Sequence, residues 1–128
     1  MSYKISKNVD LTYDEALDKV TEELKKEGFG VLTEIDVKET LKEKLAVDVP
    51  RYKILGACNP PFAHKALKAE PGVGLLLPCN VVVYESESGE VTVAGINAEA
   101  MLSVIERDDV TPIAEEVNKR MKRVIDNV

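Results

Sequence analysis

ILGACNPPFAHKALKAEPGVGLLLPCNVVV, Ile54 to Val83, is the stretch whose reading decides the fold. It holds both cysteines, the only histidine and four of the six prolines. RYKILGAC (51–58) predicts a strand with Tyr52, Ile54, Gly56 and Cys58 on one face. PPFAHKALKAE (60–70) predicts a short helix capped by Asn59, with a proline at its first position. Phe62, Ala63, Ala66 and Leu67 form its buried stripe, and His64 lies with Lys65 and Lys68 on the wet side. Pro71-Gly72 ends it. GLLLPCNVVVYE (74–85) is an apolar run broken by Pro78, which cannot donate to a ladder and so marks an edge, a bulge or the true start of a strand; its Leu75-Leu76-Leu77 and Val81-Val82-Val83 runs read as buried on both faces, with a dimer interface as the second cover.

Toward the C-terminus, SESG turns the chain and EVTVAGI returns as a hairpin partner. Asn97 caps a helix running through Ile105. Thr111-Pro112 opens the last helix, with Ile113, Val117, Met121, Val124 and Val128 as its apolar face. Toward the N-terminus, VKETLKEKLAV is a short amphipathic helix and GVLTEIDVK an alternating strand. Thr12 and Glu15 make a capping box for a helix to about Glu27, with Tyr13, Leu17, Val20 and Leu24 as its stripe and Gly28 as its stop. SYKISKNV before it is a strand. The order β-α-β-α-β-α-β-β-α-α predicts an α+β two-layer sandwich, a mostly antiparallel sheet with helices packed on one face, in a single domain over residues 1–128. A doubly wound α/β sheet fits less well, because of the hairpin and because no Gly-rich turn follows the first strand.

The bulk numbers narrow the function. Seventeen basic residues against 23 acidic ones leave a net charge of −6, which repels phosphate backbones and argues against nucleic acid. No apolar run is long enough to span a membrane, and the opening residues carry no apolar leader. A cytoplasmic protein with free thiols is therefore expected.

Cys58 and Cys79 sit at the end of one strand and the start of another, so the thiols meet if those strands are neighbours. They read either as small buried hydrophobes or as a functional pair, Cys58 being activated by the first amides of the helix after it. A metal is poorly served: with Cys58 and Cys79 as weak candidates, only His64 adds a third soft ligand, and the spacing matches no zinc motif. Asn59 and Asn80, each beside a cysteine, serve as caps or turn residues, or orient a ligand. Most acids lie on wet helix faces beside lysines; Glu34, Asp36 and Glu70 are the exceptions. No nucleophile elbow, phosphate loop or dinucleotide fingerprint is present, and nothing calls for a cofactor.

Cys58-Asn59-Pro60 and Leu77-Pro78-Cys79, preceded by EGFGVLTEIDVKETLKEKL, resemble the bacterial and archaeal family called domain of unknown function 302, and the resemblance covers nearly the whole chain. It implies a small α+β protein that forms homodimers, and it carries over no catalytic residue. The reading is a homodimeric, non-catalytic module that binds a small-molecule ligand or a partner; the alternative is a thiol-dependent redox or metal-linked activity centred on Cys58 and Cys79. The candidate pocket is Cys58, Asn59, Cys79 and Asn80.

Overall fold

The computed structural model describes residues 2–128. Among them the chain runs β1 (Lys4–Val9), α1 (Tyr13–Lys26), β2 (Gly30–Asp36), α2 (Val37–Leu45), β3 (Tyr52–Cys58), α3 (Pro60–Ala69), β4 (Cys79–Glu85), β5 (Val91–Ile96), α4 (Ala98–Leu102) and α5 (Thr111–Asp126). This is the order the sequence predicts. Two 3-10 turns, Pro71–Leu76 and Ser103–Ile105, complete it. The strands form one sheet in the order β1-β5-β4-β3-β2, with every neighbouring pair antiparallel. The fold is thus an α+β sandwich, and a parallel doubly wound sheet is ruled out.

Alternation along the strands builds the core. Leu55 and Ala57 of β3, Val81 and Val83 of β4, and Val91 and Val93 of β5 face α1 and α5 and are buried. They meet Ala16, Val20 and Leu24 of α1 and Val117, Met121, Val124 and Ile125 of α5. The opposite sheet face carries Tyr52, Ile54, Val82, Tyr84 and Ile96, all half-buried. A second, smaller cluster joins Ala66 of α3, Val73, Leu102 of α4, and Val110 and Ala114 at the start of α5.

Local chemistry sets the ends of α1. Thr12 Oγ1 accepts from the Glu15 amide at 3.1 Å, and Glu15 accepts from the Thr12 amide at 2.9 Å. At its C-terminus the Gly28 amide reaches Lys25 O and the Phe29 amide reaches Leu24 O, while Gly28 takes φ +85°. That is a Schellman stop, sealed by contact between the buried Phe29 and Leu24. Lys7 Nζ donates to Asp126 O and Val128 O, placing a cation on the negative end of α5.

Several expectations need correction. Leu75-Leu76-Leu77 is not a buried strand: Leu75 is 92% exposed in a 3-10 turn, because the strand starts only after Pro78. Val81 and Val83 are buried, but Val82 between them lies on the opposite, half-buried face. A register shift between Val31 and Thr33 breaks the alternation of β2, leaving Leu32 and Ile35 exposed. On α1, Ala16 and Glu23 are buried where Leu17 is only partly so. Glu23 tolerates burial because Lys19 and Lys26 hold its carboxylate, at 3.1 and 2.7 Å. The helix after Asn97 becomes 3-10 at Ser103. On α5, Ala114 and Ile125 are buried, while Ile113 and Val128 are only partly covered.

Candidate functional site

The two cysteine steps meet at one end of the sheet. β3 and β4 are neighbours, and Ala57 pairs with Cys79, so Cys58 lies one residue beyond. Cys58 itself pairs with Gly30 at the start of β2. Around this corner lies a cavity of about 290 Å³. The strand ends contribute Ala57, Cys58 and Cys79; α3 contributes Phe62 and Ala66; α5 contributes Ile113 and Val117. Phe29, Asn59, Leu102 and Leu77 add to the wall, with Leu32 and Thr33 from the irregular part of β2. The cavity is therefore the seam between the two apolar clusters, and its wall is almost wholly hydrocarbon.

Cys79 is 7% exposed on the core face, and the two cysteines stand unbridged. Burial, and secondarily the neighbouring Cys58, push its thiol up to about 11. It stays protonated at neutral pH. Cys58 is half-buried at the cavity wall. The first turn of α3 offers it no free amide. Pro60 and Pro61 occupy the first two helical positions and have no N–H, and the Phe62 and Ala63 amides both donate to Asn59 O, at 3.1 and 2.9 Å.

Asn59 is buried, at 6% exposure, and takes the N-cap position of α3 without a side-chain cap. Its Nδ2 instead donates to Glu27 O at 3.1 Å, where Arg120 Nη1 also donates at 3.0 Å. Asn59 thus ties α3 to the C-terminus of α1, with Arg120 over the Phe62 ring. Asn80 does not join the site. It is exposed on the opposite sheet face, beside Tyr52 and Tyr84. His64 is exposed, and among the described residues no three His, Cys, Asp or Glu side chains gather closely enough to hold a metal ion.

The three unusual acids have structural tasks. Glu34 pairs with Lys53 at 2.6 Å, Asp36 accepts from the Glu39 amide to cap α2, and Glu70 accepts from the Gly72 amide. Leu67, expected in the buried stripe of α3, is 42% exposed at the cavity rim.

Sequence reasoning did not foresee the opposite walls. Phe29, Ile113 and Val117 lie far from the cysteines in the chain, and only the antiparallel order brings them in. A second concavity, of about 220 Å³, lies on the open sheet face between Tyr3, Lys4, Tyr52, Asn80 and Tyr84. Its Tyr52 and Tyr84 rings stack with centroids 5.1 Å apart. A wider depression of about 720 Å³ beside β1 and α1 is lined mainly by charged residues, several of them acidic, and opens to solvent.

Among the described residues no helix is long and apolar enough to cross a membrane. Comparison with known proteins places the chain. A crystal structure of an uncharacterized conserved protein DUF302 from Bacillus stearothermophilus matches with a TM-score of 0.91 at 30% identity, covering 99% of this chain and 98% of that one. A protein of Aquifex aeolicus (strain VF5), described only as uncharacterized, is 34% identical over 83 residues, or 62% of this chain. The chain spans 57% of the length of that curated relative. The family model called Domain of unknown function DUF302 matches residues 5–128. The antiparallel sandwich agrees with that match, and the chain belongs to the Domain of unknown function DUF302 family.

Proposed function

We propose that this chain is a cytoplasmic, homodimeric, non-catalytic binding module of one domain, whose cavity at the cysteine corner takes up a small molecule. One observation carries the reading: an apolar cavity of about 290 Å³ bounded by α3, α5 and the ends of β3 and β4. An apolar recess with few polar groups is the usual form of a small-ligand site. The thiols support binding over thiol chemistry. Cys79 keeps its proton, and the prolines after Asn59 withhold the amides that would stabilise a thiolate at Cys58. Both cysteines then serve as wall.

Surface area supports the dimer. The chain alone exposes 7447 Å². A monomer of 14.1 kDa is expected to expose about 6,700 Å². The open sheet face, with Tyr3, Ile35 and the stacked Tyr52 and Tyr84, is the surface we assign to the second copy.

The test pairs a neutral fluorescent probe of matching size, 1-naphthylamine, with the variant Ala66→Leu, which fills the cavity from α3. Saturable enhancement in the native protein, lost in the variant at unchanged far-UV dichroism, is the expected result. Enhancement that survives the variant places binding elsewhere and overturns the reading. Light scattering at micromolar concentration should return twice 14.1 kDa; a value of 14.1 kDa removes the dimer.

A further inference from the structure

If the cavity binds a small molecule, as proposed for it, its wall also specifies which kind. A cavity of about 150 Å³ lined by aliphatic and aromatic side chains stays dry and takes up benzene. This one, at about 290 Å³, is close to twice that size and has room for about a dozen non-hydrogen atoms. The wall holds no Lys, Arg, Asp or Glu. Arg120, behind Phe62, is spent on Glu116 and Glu27 O. A charged ligand would lose its hydration and gain no counter-charge.

One polar group in the wall is unspent. Asn59 is nine-tenths buried, its Nδ2 is held by Glu27 O, and its main-chain oxygen is taken by two amides. The hold on Nδ2 fixes which way the amide faces, and no donor among the described residues reaches Oδ1. No side-chain oxygen among the described residues is both sealed and unpartnered, so Oδ1 touches open space. Asn59 is one of the residues that line the cavity. Thr33 and the Cys58 thiol lie on the same wall as further polar neighbours.

We propose that the ligand class of this cavity is a neutral, largely apolar molecule of about a dozen non-hydrogen atoms that donates one hydrogen bond, from a hydroxyl or amide N–H, to Asn59 Oδ1. Acids, and neutral molecules whose only polar group is an acceptor, are discriminated against: the first bury a charge, and the second set two acceptors face to face.

Three matched probes test this by calorimetry at pH 8: 2-naphthol, 2-methoxynaphthalene and 2-naphthoate. The naphthol should bind roughly 3- to 10-fold more tightly than the methyl ether, the range of one neutral hydrogen bond. Naphthoate should be weaker than both by more than about 10-fold. In Asn59→Leu the first ratio should fall to about one; Thr33→Val, which removes the other side-chain oxygen among the lining residues, should leave it unchanged. If Asn59→Leu does not fold, the Thr33→Val result and the three native affinities still decide. Equal binding of naphthol and ether, or tightest binding of naphthoate, overturns the ligand class and leaves the cavity reading standing. Failure of all three probes to bind overturns both.

Discussion

Raising the pH should unfold this protein in part through one thiol. Cys79 is buried on the helix-covered face, and its thiol is pushed from 9.0 up to about 11. Unfolding returns it to water and to its ordinary range, near 9. Because the folded-state value is the higher one, the thiol's contribution is fully present below about pH 9 and is lost as pH climbs through 11. Two units are worth about 2.7 kcal/mol in full, of which about 1.4 is gone by pH 10 and about 2.3 by pH 11. The perturbation is Cys79→Ala, which costs about 1 kcal/mol of packing at neutral pH. Urea unfolding at pH 7, 9, 10 and 11 is the assay. Tyr13 and Tyr52 are also raised by burial and lose stability in the same direction, so the quantity to follow is wild type minus variant. That difference should start at about +1 kcal/mol and change sign near pH 10. A difference that stays constant to pH 11 would refute burial of a protonated thiol, and with it the account of Cys79 as wall.

Three further outcomes come from the packing. Gly95→Ala sets a methyl 2.7 Å from Met121 Sδ in the core; urea unfolding should register a net loss of about 1 kcal/mol, and with Met121→Ala the double variant should lose less than the sum of the singles. Thr12→Ala removes the acceptor for the Glu15 amide and should cost about 1 kcal/mol by the same assay; no loss would mean that the capping box is ornamental. Tyr84→Ala breaks the ring stack on the open face and should raise the dissociation constant of the proposed dimer about 30-fold in sedimentation equilibrium, whereas an unchanged constant moves the interface elsewhere.

What could be read from the chain was what neighbours in the chain decide. Thr12 with Glu15, Gly28 after a helix, and Pro78 before a strand each act over a few residues, so each boundary was legible. So was the sandwich, because the period of the apolar residues changes from element to element. The cysteine corner was legible only as a conditional, resting on whether β3 and β4 were neighbours. The unread parts depend on distant partners. Asn59 looked like a cap because nothing near it announces Glu27, 32 residues away, as its true partner. Leu75-Leu76-Leu77 looked buried because hydropathy does not record that Pro71–Leu76 coils into a 3-10 turn and turns Leu75 outward. Asn80 looked like part of the site because sequence adjacency to Cys79 conceals that successive strand residues point to opposite faces.

The strand order also dictates a schedule. β2, β3, β4 and β5 each lie beside the strand that precedes or succeeds them, so they can zip in sequence through connections that span one helix at most or a hairpin turn. β1 cannot. Its register runs from Lys4 opposite Ile96 to Val9 opposite Val91, so it must wait for a partner more than 80 residues downstream. Meanwhile α1 must lie across the growing sheet, against β2, β4 and β5, to carry the chain from one edge to the other. The strand that comes first in the chain is therefore expected to dock last. Weakening β1 should therefore speed unfolding far more than it slows folding, and a chain halted before Ile96 would leave that strand without a place.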